Sequence, residues 1–130
     1  MKLETKLGDQ FKDPSQADFN LVLSPEELIK LDEILKAGIT TDPIIRNVPQ
    51  QDTEALSQKI SRIRALPLEH EINITFSRIE LSQIDSIADS ICVQGMEGYA
   101  PHLMHFFPDE EALDQFTDEI QDVYQKSCLP

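Results

Sequence analysis

The sequence predicts one α+β domain over residues 1–130, with two or three short strands and about four helices. Three observations carry this. Leu, Ile, Val and Phe make up 38 of the 130 residues, a share of about 29%, whereas disordered chains fall below roughly 20%. Two short alternating runs each lead straight into a helix-start signal. Four longer stretches repeat their apolar residues at helical spacing.

The first of these elements is weak: Leu3, Thr5 and Leu7 alternate, so Lys2 to Leu7 reads as a possible strand. The next is strong. Phe19, Leu21 and Leu23 lie on one face of a strand, followed by Ser24, Pro25 and Glu27. Ser24 and Glu27 have the spacing of a capping box, in which the hydroxyl accepts from an orphan backbone N–H and the glutamate reaches back to the cap. Pro25 suits the first helical position, where its missing N–H costs nothing. The helix should run from Pro25 to Ala37 and stop at Gly38 in a left-handed conformation. Glu26–Lys30 and Asp32–Lys36 supply i,i+4 ion pairs in the favourable order.

Residues 39–50, with Pro43 and Pro49, read as a loop. A second helix starts at Asp52, with Leu56, Ile60 and Ile63 inward and Lys59, Arg62 and Arg64 towards its C-terminal end, as the helix dipole prefers. Pro67 limits it. A strand with Ile72, Ile74 and Phe76 on one face then meets Ser77 and Glu80, a second capping box. The helix it opens spans Ile79 to Val93, with Leu81, Ile84, Ile87, Ala88 and Ile91 inward. Residues 94–108 form an irregular connection, and a fourth helix spans Asp109 to Lys126, with Leu113, Phe116, Ile120 and Val123 inward.

The two strand–cap–helix segments lie 53 residues apart. Aligning residues 19–35 with 72–88 gives six identities in seventeen positions: Asn20, Ser24, Glu27, Leu28, Asp32 and Ile34 with Asn73, Ser77, Glu80, Leu81, Asp85 and Ile87. Convergence on a well-capped junction and internal duplication both fit that count.

The chain carries 24 acidic against 11 basic residues, a formal charge of −13. This argues against direct nucleic-acid binding, which needs a basic surface, and against adhesion to an anionic membrane. The asymmetry is sharper than the total. Residues 1–65 hold 11 acids and 9 bases; residues 66–130 hold 13 and 2. Between Arg78 and Lys126 there are eleven carboxylates and no Lys or Arg. On the fourth helix Glu111, Asp114, Asp118 and Asp122 follow steps of three and four, which aligns them in one stripe. Glu110 and Glu119 flank it, and Asp85 and Asp89 add an i,i+4 pair on the third helix. Such a stripe fits Lys and Arg on a partner and would steer a basic partner to it. The segment just before it, residues 95–107, is rich in aromatics and methionine, and Glu97, Met96 and Tyr99 join the candidate contact residues. Leu103, Phe106 and Phe107 of the same segment are expected in the core.

Catalytic signals are few. Cys92 follows Ile91 on a largely apolar face with only acids nearby, which raises a thiol pKa and disfavours nucleophilic use. Gly8, Gly38, Gly95 and Gly98 never form a phosphate-cradling loop, no serine sits in a nucleophile elbow, and no cofactor is expected. His102 and His105, with Asp109 and Glu110 behind them, could share a divalent metal, but Pro101 and Pro108 bracket the pair and no motif joins His70 to it. Cys92 and Cys128 are too few for a disulfide framework and read as reduced thiols of a cytoplasmic protein. No apolar segment of about 20 residues exists to span a membrane, and residues 1–10 contain no signal-peptide core.

The functional expectation is therefore a non-catalytic interaction protein: an inhibitor of the immunity or antitoxin type, or a nucleic-acid mimic, docking on a basic nuclease or nucleic-acid-binding partner through Asp85, Asp89, Glu97, Tyr99, Glu110, Glu111, Asp114, Asp118 and Asp122. The alternatives are a small adaptor with an apolar contact surface and a metal-binding protein using His102 and His105.

Overall fold

A computed structural model describes residues 1–5, 18–41, 46–67, 70–94 and 101–128 of the chain. Within them the order is β1 (Lys2–Thr5), β2 (Asp18–Leu23), α1 (Pro25–Ile39), α2 (Gln50–Arg64), β3 (Ile72–Ser77), α3 (Arg78–Gln94), a 3-10 turn (Pro101–His105) and α4 (Glu110–Ser127). The sheet is antiparallel, in the order β1-β2-β3. Phe19, Leu21, Leu23, Ile72, Ile74 and Phe76 bury one of its faces against the helices. The other face carries polar side chains, and there the Asn20 amide donates to Asn73 Oδ1 at 2.9 Å and to Glu4 Oε2 at 3.3 Å. The architecture is the α+β one expected, and residues 6 and 7 of the expected first strand lie outside the described residues.

Both junctions are capped as their sequences require. Glu27 N–H donates to Ser24 Oγ at 3.2 Å and Ser24 N–H to Glu27 Oε1 at 3.0 Å. Glu80 N–H donates to Ser77 Oγ at 3.1 Å and Ser77 N–H to Glu80 Oε1 at 3.0 Å. At α4 the cap is Asp109, whose carboxylate accepts from Ala112 N–H at 2.9 Å. The start of α2 has no side-chain cap. Its N-cap is Pro49, and a fully buried arginine stands beside it. Arg46 donates from Nε to the Val48 carbonyl at 2.7 Å and from Nη1 to those of Gly38 at 2.7 Å and Thr41 at 3.2 Å. The guanidinium thereby satisfies carbonyls at the C-terminal end of α1, where the helix dipole favours a cation.

The sheet register settles the relation between the two similar segments. β2 and β3 pair so that Leu21 faces Ile74, Phe19 faces Phe76 and Leu23 faces Ile72. Leu21 and Ile74 are equivalent in the 53-residue repeat, and the other two pairs exchange under it. The segments are thus related by an approximate two-fold axis through the Leu21–Ile74 pair. The helices obey the same operation. Leu28, Leu31, Asp32, Ile34, Leu35, Ala37 and Gly38 are the buried residues of α1. Their equivalents in α3 are Leu81, Ile84, Asp85, Ile87, Ala88, Ser90 and Ile91, all buried except Asp85. Leu31 and Ile84, an equivalent pair, line one small apolar void together with Leu21.

The repeat extends further than the sequence comparison reached. In α2, Thr53, Leu56, Ser57 and Ile60 are buried, and 60 positions on, Leu113, Phe116, Thr117 and Ile120 are buried in α4. α2 packs on α1 as α4 packs on α3. The described residues therefore form β1 followed by two β-α-α units, β2-α1-α2 and β3-α3-α4.

Gly38 corrects one expectation. It does not end α1 in a left-handed turn; the helix continues to Ile39 and closes at Thr40 in a right-handed conformation. The glycine is needed for close packing instead. A Cβ on it would stand 2.5 Å from Ile87 Cγ2, where α1 meets α3.

Candidate partner-binding face

The acidic side chains of α4 stand on the outside of the second unit. Leu113, Phe116, Ile120 and Val123 turn the opposite side of the helix into the core. Glu110, Glu111, Asp114, Asp118, Glu119 and Asp122 are all exposed. Glu110 and Glu111 lie in the first turn, where the helix dipole stabilises negative charge. Asp114, Asp118 and Asp122 lie beyond that turn and gain nothing comparable from it.

Most of the cations that could have folded over this stripe are used elsewhere. Lys59 Nζ reaches Glu80 at 3.0 Å and the Thr75 carbonyl at 2.6 Å, with Phe76 under it at 4.5 Å. Arg64 Nη1 bonds Asp32 at 2.8 Å and Glu33 at 2.6 Å. Arg62 is exposed on α2. Arg78 donates to the Ser127 carbonyl at the far end of α4, 2.9 Å from Nε. One stripe carboxylate does have an internal partner: Asp122 pairs with Lys126 at 2.9 Å. For Glu111, Asp114 and Asp118 no ion pair is present among the described residues.

On α3, Asp89 is exposed and Asp85 is half-buried. Burial pushes the Asp85 carboxyl above the usual aspartate range, and the negative charge of Asp89 adds to the effect. Cys92, two turns along the helix from Asp85, is half-buried with its Sγ 3.0 Å from Thr117 Oγ1. Burial, with Asp114 and Asp89 contributing, lifts its thiol to about 11, far from nucleophilic use at neutral pH. Glu97, Tyr99 and Met96 lie outside the described residues.

The remaining candidates divide. Leu103 and Phe107 are buried in the core as expected, while Phe106 is only partly buried against it. His102 and His105 are on the 3-10 turn, both exposed, and His102 Nε2 approaches Glu33 Oε2 at 4.0 Å. No group of three or more His, Cys, Asp or Glu side chains placed to hold a metal occurs among the described residues. No helix among them is long and apolar enough to cross a membrane.

The site that sequence reasoning missed is in the first unit. Asp32, the repeat equivalent of Asp85, is fully buried. It accepts from Arg64 at 2.8 Å, from Ser61 Oγ at 2.8 Å and from Lys36 at 3.0 Å. Burial alone would raise its carboxyl; Arg64, Ser61 and Lys36 together outweigh that and hold it below the usual range. The Lys36 contact was legible as an i,i+4 pair, whereas Arg64 comes from a different helix.

No protein-family model, curated protein or solved structure matches the chain.

Proposed function

We propose that this is a non-catalytic binding protein that uses the outer face of α3 and α4 to dock on a basic protein, and that it acts as an inhibitor by covering the nucleic-acid-facing surface of a nuclease or other nucleic-acid-binding partner. The observation that carries the reading is the exposed line Glu111, Asp114 and Asp118, which has no cation facing it among the described residues. Acids in such a line repel one another along the helix by a few tenths of a kcal/mol per pair. A basic partner relieves that repulsion, so complementarity favours the complex and speeds its formation. The raised thiol of Cys92 supports a binding role over nucleophilic chemistry at that residue. Two unpaired cysteines accord with a reducing compartment such as the cytoplasm.

The competing reading, an adaptor with an apolar contact, rests on Val93 at the end of α3 and Met104 in the 3-10 turn, 74% and 52% exposed. Salt separates the two. Wild type and the double variant Asp114→Lys/Asp118→Lys are immobilised and exposed to host extract, and captured proteins are identified by mass spectrometry. Expected is a basic protein held by wild type and lost from the variant, with an association rate that falls steeply as ionic strength rises. Capture of the same proteins by both forms, at rates indifferent to salt, overturns the charged-face reading.

A further inference from the structure

The two-fold relation between the units makes a specific comparison available. Asp32 and Asp85 occupy the same position in the repeat, and in the first unit that position faces the following helix. In the first unit that position holds a guanidinium: Arg64 from α2, with Ser61 and Lys36 completing the set. In the second unit each of those partners is replaced. Lys36 corresponds to Asp89, and by the 60-residue offset Ser61 and Arg64 correspond to Gln121 and Tyr124. Asp85 keeps the carboxylate, is half-buried, and has no hydrogen bond or ion pair among the described residues.

We infer that Asp85 is a receptor for an arginine side chain of the partner, which would give it from outside the charge partner that Asp32 has within the chain in Arg64. The independent observation pointing to this ligand is the occupied counterpart within the same chain, where an aspartate on an equivalent helix is bound by a guanidinium. Tyr124, uncharged where the first unit has Arg64, and Gln121, where it has Ser61, leave the carboxylate unneutralised. Asp89 one turn away adds negative potential where the first unit has Lys36. The expected preference is for arginine over lysine, because a planar guanidinium can bond two acceptors at once and is more weakly hydrated than an ammonium. This inference rests on the proposed docking of a basic protein on the α3–α4 face, and names one contact within it.

The test is an amide NMR titration of the full chain with N-acetyl-arginine-N-methylamide and, separately, its lysine counterpart. The expected result is saturable movement of the Asp85, Asp89, Gln121 and Tyr124 amides, about fivefold tighter for the arginine compound. Asp85→Asn, an isosteric change whose spectrum reports whether the fold is kept, should weaken it by a similar factor. Shifts that follow Asp114 and Asp118 instead, or equal binding by Asp85→Asn, overturn the inference. Hexa-lysine and hexa-arginine amides distinguish its failure from that of the docking reading. Binding of both to wild type and to Asp85→Asn, with loss in Asp114→Lys/Asp118→Lys, leaves the docking face standing and removes Asp85 from it. Binding of neither peptide to wild type overturns the docking reading itself.

Discussion

Asn20 and Asn73 donate and accept one hydrogen bond across the outer face of the sheet, and they are the same position of the repeat, 53 residues apart. A residue can meet its own repeat equivalent only close to the axis relating the two copies. The bond therefore marks, on the solvent side, the axis that the Leu21–Ile74 pair marks on the buried side. With the matching burial of α1 and α3, and of α2 and α4, this gives the two capped segments one two-fold arrangement.

Loss of either serine cap should destabilise the fold by about 1 kcal/mol, the usual value for an N-cap replaced by alanine. Ser24→Ala and Ser77→Ala sit in separate units, so their effects should add to within about 0.5 kcal/mol. Urea unfolding midpoints of the two single variants and the double variant check this. An unchanged midpoint in either single variant would contradict the cap geometry.

Gly38→Ala should destabilise, although alanine is the better helix former by about 1 kcal/mol. The new methyl would press on Ile87 Cγ2, and overpacking a closed core typically costs about 1–3 kcal/mol. The net expectation is a loss of about 1 kcal/mol. In an Ile87→Ala background the same change should become neutral or stabilising. Thermal unfolding of the four forms in a double-mutant cycle gives the answer.

The two equivalent aspartates should respond to pH in opposite directions. Asp32 has a lowered pKa in the folded state, so its contribution is present above the unfolded aspartate pKa and is lost as pH falls through the folded value. Asp85 has a raised one, so the stability linked to it is present below the unfolded pKa and is lost as pH rises through the folded value. Asp32→Asn should weaken the protein at pH 7 and narrow that deficit towards pH 2. Asp85→Asn should strengthen it slightly at pH 7, by a few tenths of a kcal/mol for a partly solvated group, and the gain should vanish in acid. Denaturation curves at pH 3, 5 and 7 test both signs.

Cys92 should be slow to alkylate in the native state. Its thiol is raised to about 11, so at pH 7 the thiolate is about one part in ten thousand. Cys128 is exposed and should react first. Timed iodoacetamide labelling read by mass spectrometry separates the two; faster labelling of Cys92 would contradict its burial.

What the sequence made legible was local. The alternations of β2 and β3, both capping boxes and the i,i+4 pair of Asp32 with Lys36 depend on residues within a turn or two of one another, and these formed as read. The contributions that stayed hidden join distant segments. Arg64 reaches Asp32 from 32 residues away. Gly38 has the composition of a helix stop, and only the approach of Ile87 explains its use inside the helix. The second helices of the two units escaped alignment because the connection before α4 is longer, which shifts their offset from 53 to 60. On the candidate face, Asp114 and Asp118 were placed outward by helical periodicity. The half-burial of Asp85 depends on its surroundings in the folded chain, and Asp122 proved to share its charge with Lys126.

Lys59 bears on how this protein behaves in crowded solution. Among the described residues β3 is an outer strand, as β1 is, and such strands invite further strands to join and can seed fibres. Here the Lys59 ammonium already holds the Thr75 carbonyl, with Glu80 and the Phe76 ring around it. An incoming strand would have to displace that cation and leave Glu80 without its counter-charge. Strand addition at β3 is thus obstructed by a side chain already in place, so charge repulsion is not the sole barrier at that strand.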